Sequence, residues 1–373
     1  MTERAGVRVR GINYDTGFLE GRAMSRRSFD LDVVRDEMTV IARDLHADAV
    51  RVSGADPERL VIAGEAALDA GLELWFSPFP YDLDEAQLVA YLGDCARRAE
   101  ALRQRGGRVT LVLGCELSLF CSANLPGGHL WDRLATMTAP PWPSAFQHAF
   151  AALPTTLNRV LASALGAARD HFGGPITYAS GSWEPVDWTP FDLVAVDLYR
   201  DRHNAADYRD QLRSYLAHGK PVAITEFGCC TYRGAADRGG LGFAILDSSG
   251  AEPRLDCVYE RSEDEQVSYF DDLFGIFTEE KIEAAFWFTF AGYELPHRAE
   301  PRDDLDLASY GAVKVVDLTT IGADSAPGWE PKAVFHAIAH AYRRTNTQPS
   351  RSWLVGGGKP ETFRVLRGME RRR

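Results

Sequence analysis

VTLVLGCE (109–116) and PVAITE (221–226) decide the fold of this chain. Each is a short apolar run, β-rich and without helical periodicity, that ends on a glutamate. Such runs read as parallel strands buried on both faces. A charged residue directly after one lies at the strand's carboxyl end, the face on which α/β barrels carry their sites. Glu116 and Glu226 are therefore expected at one mouth, although 110 residues separate them.

Working outward, six more runs have the same character: 7–14, 48–54, 72–79, 176–180, 193–199 and 284–290. Between them lie segments with apolar residues spaced by three and four, over 31–46, 57–71, 83–106, 150–172, 205–219 and 262–280, with a last one at 330–344. Alternating strands and amphipathic helices in this number predict an α/β protein of (β/α)8 TIM-barrel type. An open doubly wound sheet usually carries a Gly-rich phosphate loop after its first strand, and GINYDTGFLEG (11–21) matches that poorly. The expected organisation is one catalytic barrel over 1–345 and a loosely attached tail over 346–373. Long loops are expected after strands four and seven, over 117–146 and 227–261, as walls of the mouth.

Composition bounds the partners. The 373 residues are 45% hydrophobic and 25% charged, with a net charge of −12. That acidic balance argues against nucleic acid, whose phosphates would repel it. No run approaches ~18 apolar residues, so no membrane span is expected. The charged start, MTERAGVRVR, lacks an apolar signal region, which predicts a cytoplasmic protein. The six cysteines, at 95, 115, 121, 229, 230 and 257, form no C-x-x-C pair and read as structural thiols. The adjacent Cys229 and Cys230 read as small buried residues, and the histidines lack metal-ligand spacing, so neither metal nor cofactor is expected. The sequence sets no oligomeric state.

Two carboxyl groups at one mouth suit the cleavage of a glycosidic bond, which needs an acid for the leaving oxygen and a carboxylate across the anomeric carbon. Glu116 is the candidate acid/base, its pKa raised by burial or neighbouring negative charge, and Glu226 the candidate nucleophile. Arg51, in an otherwise apolar strand, requires a buried acceptor; Glu226 is a fitting one, and Asp15 or Asp48 is the alternative, with a purely structural meaning. Polar and aromatic residues at other strand ends are candidates for holding a small carbohydrate or glycoside: Asn13, Asp15, Trp183 and Glu294, with Asp82, Glu184 and His297 nearby.

On VTLVLGCE, KPVAITEFG and AAFWFTF, the chain resembles the clan A glycoside hydrolases, retaining (β/α)8 glycosidases, over roughly 7–344. The resemblance implies acid/base Glu116 after strand four and nucleophile Glu226 after strand seven. It also implies that Arg51 and Tyr199 support the nucleophile and that Trp287 forms the aromatic floor of the sugar subsite. Where the clan carries an asparagine that bonds the sugar 2-hydroxyl, this chain has Cys115, a weak donor. EFGCCTYRGA (226–235) is in turn similar to an uncharacterised bacterial group sometimes labelled abortive-infection proteins, a label that implies no chemistry. The expected activity is retaining hydrolysis of a β-linked glycoside or short oligosaccharide through a covalent glycosyl-enzyme. A transglycosidase on the same site, or a sugar-binding barrel without turnover, are the alternatives.

Overall fold

The structure is a computed structural model that describes residues 6–19, 24–250, 252–316 and 328–345. Eight parallel strands close into a barrel. They are β1 (Val9–Asp15), β2 (Ala49–Gly54), β3 (Glu73–Pro78), β4 (Val109–Cys115), β5 (Ile176–Gly181), β6 (Val194–Asp197), β7 (Val222–Phe227) and β8 (Ala284–Trp287). All eight coincide with expected runs, and β1 pairs with β8 to close the ring. The eighth stops short of Phe290 because the backbone there turns to other partners: the Thr289 N–H donates to Tyr310 and the Phe290 N–H to Asn13.

Side chains fill the barrel, and their sizes alternate so that they interlock. Trp75 and Phe286 meet at 4.8 Å in its middle. Small residues oppose them: Ala49, Ala179, Ala195, Ala223 and Ala284, all fully buried. Gly11 belongs to the same layer, since a Cβ there would lie 2.3 Å from the Phe286 ring. A second, larger apolar shell lies between the strands and the helices.

The helices begin where the sequence supplies caps. Asp30, Asp56 and Asp84 accept first-turn N–H groups at the starts of α1 (Leu31–Arg43), α2 (Pro57–Asp69) and α3 (Glu85–Gln104). The stretch 117–146, expected as loop, is largely helical: α4 (Leu117–Phe120), α5 (Leu130–Thr138) and the opening of α6 (Ser144–Arg169). Pro154 lies inside α6 without ending it. Then follow α7 (Tyr208–Leu216), α8 (Glu263–Glu279) and α9 (Ala333–Thr345), whose Tyr342 hydroxyl donates to the Gly11 carbonyl at 2.9 Å.

The segment after β7 is irregular, as expected, apart from a short turn and a two-residue ribbon. A third long segment, after β8, was not expected from the sequence; its ribbon pairs Val313–Val315 with Trp329–Pro331. No helix joins β5 to β6. There Trp188 and Phe191, each 3% exposed, cover the strands instead. Lys220 ties that turn down by donating to the carbonyls of Trp188 and Thr189, both at 2.7 Å. The tail expected over 346–373 lies outside the described residues.

Candidate active site

Arg51 organises the mouth. It is fully buried, and strand register sets Asn13 beside it on β1. Its Nη1 donates to Glu226 Oε1 at 2.8 Å and to Asn13 Oδ1 at 3.1 Å. Its Nε donates to Ser77 Oγ at 3.1 Å. The second oxygen of Glu226 accepts from the Tyr199 hydroxyl at 2.8 Å. Both oxygens of the β7 carboxylate are thus fixed, one by a charge-assisted bond. Burial and the neighbouring Glu226 raise the Tyr199 hydroxyl well above its ordinary value, which keeps it a donor.

Glu116 follows β4 directly. Its backbone is left-handed (φ 43°, ψ 44°), a region that costs a non-glycine residue and needs support from its surroundings. That support is dense. The Glu116 N–H donates to Ala179 O, and the Leu117 N–H to the Tyr178 hydroxyl at 2.7 Å. Buried Glu184 then accepts from the Tyr178 hydroxyl at 2.7 Å and from the Ser118 N–H at 2.9 Å. Glu184 is therefore a brace for the turn that carries Glu116. Burial, with Asp197, Glu226 and Glu184 close by, raises the Glu116 carboxyl well above the usual range against the opposing pull of Arg51.

Asp197, at the end of β6, is the residue that sequence reasoning missed. It pairs in register with Glu226 and is 3% exposed. Arg51 Nη1 lies 3.8 Å from its Oδ1, and the Cys115 thiol donates to its Oδ2 at 3.2 Å. One guanidinium thus faces two buried carboxyls, and Glu226 holds the shorter contact. Burial and the neighbouring Glu226 push the Asp197 carboxyl up, to about 8, against the opposing pull of Arg51. The signal was present in LVAVDLY (193–199), an apolar strand interrupted by an acid. Ser77 and Tyr310, which reach Arg51 and Tyr199 respectively, had no comparable signal.

The remaining candidates separate. Asn13 belongs to the cradle, its amide donating to Thr225 O at 2.9 Å. Cys115 lies 3.8 Å from Glu226 Oε1, but its donor is taken by Asp197. Trp183, half-buried, donates to Ser118 Oγ at 3.2 Å on the Glu116 side. Asp15 accepts from the Gly17 N–H at 2.7 Å and shapes the turn after β1. Glu294 accepts from the Arg27 N–H at 2.9 Å and ties together the segments after β1 and β8. Asp82 is bound by Arg133, and His297 lies 2.9 Å from Asp304. Trp287 is not a floor. It is fully buried, packed on Phe227 and Phe270, with its indole N–H donating to Tyr310 O at 3.1 Å. Its neighbour Phe288 carries the half-buried ring, 6.4 Å from that of Tyr199.

Cys115, Asp197 and Glu226 offer ligand atoms within 4.8 Å of one another. A divalent ion among them would sit against Arg51, which already supplies the positive charge there. The set suits a hydrogen-bonded carboxyl pair better than a metal. Among the described residues no helix is long and apolar enough to cross a membrane.

No family model matches the sequence, and no curated protein matches it either. Solved structures do. A β-glucosidase designated 1317 is similar over 90% of this chain and 98% of its own, with 12% identity and a TM-score of 0.55. A mutant of a hyperthermophilic β-glucosidase that crystallises as a dodecamer is similar over 90% of this chain and all of its own, with 11% identity and a TM-score of 0.52. A calcium-binding mutant of Bacteroides uniformis β-glucuronidase 2 gives 0.53 at 13% identity, and this chain spans 35% of its length. These likenesses establish a shared (β/α)8 fold with TIM-barrel glycoside hydrolases. The abortive-infection label attached to EFGCCTYRGA finds no support among them.

Proposed function

We propose that this barrel is a glycosidase that hydrolyses β-linked glycosides with retention. Glu116 is its acid/base and Glu226 its nucleophile. The observation that carries this reading is the unequal treatment of the two carboxyls. Glu226 accepts from Arg51 and Tyr199, whereas Glu116 has acidic neighbours and a raised pKa. That division is what double displacement requires. Glu116 holds a proton for the leaving oxygen while Glu226 presents a fixed oxygen to the anomeric carbon. Once the glycosyl ester has formed, Glu116 is the base that draws a proton from water.

The bond from Tyr199 restrains the carboxylate plane, and Arg51 opposes charge left on Glu226 when the ester breaks. Phe288 is the proposed apolar face for the sugar, in the place first given to Trp287. Long segments after β4, β7 and β8 favour a short glycoside over a polymer. The β-glucosidases and the β-glucuronidase that share the fold agree with a carbohydrate substrate.

The test is turnover of a panel of aryl β-glycosides, glucoside through mannoside, galactofuranoside and arabinoside, by wild type and Glu226→Ala. Release from at least one substrate by wild type, with a loss of about 10⁴-fold or more in the variant, is expected. Binding without release across the panel would leave a sugar-binding barrel. Transfer to an added alcohol in preference to water would make it a transglycosidase.

A further inference from the structure

Three phenylalanines stand at the ends of strands on the Glu116 side of the mouth. Phe18 follows β1, Phe79 follows β3 and Phe120 closes α4 after β4. Their rings form one continuous surface: Phe18 and Phe79 are 4.9 Å apart, and Phe79 meets Phe120 edge-on at 4.6 Å. The same apolar cluster takes in Cys115 below, while Phe18 and Phe120 remain half-buried at its rim. The Phe120 N–H donates to the Glu116 carbonyl at 3.0 Å, so this wall begins one turn from the acid/base.

The wall is fixed from behind. Arg133, fully buried, donates to the carbonyls of Leu119 at 2.6 Å and Phe120 at 2.9 Å and to the Asp82 carboxylate. Of the polar groups near it, Asp82 Oδ1 is held by Arg133 and Ser77 Oγ accepts from Arg51. A sugar hydroxyl turned onto the three rings themselves would find no partner there, which is costly once water is excluded. An aryl or alkyl body would lose nothing and gain burial.

In a glycosidase the acid protonates the leaving oxygen, so the leaving group lies on the acid's side. We propose that Phe18, Phe79 and Phe120 form an apolar leaving-group subsite, and that the substrate is a glycoside of an aryl or alkyl alcohol rather than a disaccharide. This rests on the glycosidase reading above.

The experiment uses the sugar that the aryl panel identifies. Wild type is given its methyl glycoside, its octyl glycoside below the micellar concentration, and a disaccharide with the same sugar at the non-reducing end. A kcat/KM for the octyl glycoside at least about tenfold above that for the methyl glycoside, and above the disaccharide, is expected. In the Phe79→Ser/Phe120→Ser double variant the octyl-to-methyl ratio should fall towards one. A wild-type measurement needs no variant to fold: 1-octanol should inhibit turnover competitively where glycerol does not. Parity of octyl and methyl glycosides, or preference for the disaccharide, overturns the apolar subsite and leaves the glycosidase standing. No release from any glycoside removes both.

Discussion

One arginine serves two buried carboxyls at the mouth, and a third waits across from it on a strained turn. Their protonation follows from that imbalance. For Glu116→Ala, hydrolysis of glycosides with poor leaving groups should fall by about 10²–10⁴-fold, with much smaller loss for a dinitrophenyl leaving group, which needs no proton. Equal loss for both leaving groups would deny Glu116 the acid's role. For Asp197 the sign runs through stability. Its carboxyl is raised in the fold above the ordinary value of 3.8 that it has in an unfolded chain. Unfolding therefore releases a proton over the interval from 3.8 to about 8, and wild-type stability falls as pH rises through it. Asp197→Asn is free of that slope. Urea titrations at pH 5 and pH 8 should show the variant gaining on wild type at the higher pH, and a constant difference would refute the assignment. Arg51 was legible because an arginine in an apolar strand must have a partner. Trp287 was misread because FWFTF is aromatic at four of its five positions, on both faces, and a slip of one residue turns the opposite face inward.

Among the elements, eight strand runs were legible because β-rich apolar segments of that length have few other uses. The region after β4 was not. Its helices are short, its prolines suggested loop, and nothing in LWDRLATMT (130–138) marks Arg133 as an interior residue. A helical arginine ordinarily reads as solvated surface; only the structure reveals that it gathers the carbonyls of Leu119, Phe120 and Gly127. Arg133→Ala should cost about 3 kcal/mol in urea denaturation, because it leaves several buried acceptors and one carboxylate without a donor. Limited proteolysis should then cut within 117–143 first. A variant as stable as wild type would make the arginine dispensable.

For the whole molecule, the alternation of elements foretold a closed barrel, and closure depends on packing that no single run records. Trp75 and Phe286 meet only because alanines and Gly11 from other strands leave them room. The third long segment, after β8, was hidden for a related reason: 288–332 has no periodicity, and the place of its described residues is set by contacts such as that of Lys332 with Asp306, 2.9 Å apart and both buried.

The missing helix between β5 and β6 has a consequence for motion. Every other pair of consecutive strands is joined through at least one helix, whereas this flank is covered by two aromatic rings and tied down by side chains alone, Lys220 together with Asn158 and Arg169 of α6. Such a patch can lift without unravelling the ring of staves behind it, at a free energy below that of global unfolding. In deuterium exchange, the amides of Ile176–Gly181 and Val194–Asp197 should label ahead of those of Ala49–Gly54 and Glu73–Pro78, and Lys220→Ala should widen the gap. Asp197 lies on that seam, paired in register with Gly181, so a lift of this flank would loosen the strand that holds one wall of the mouth.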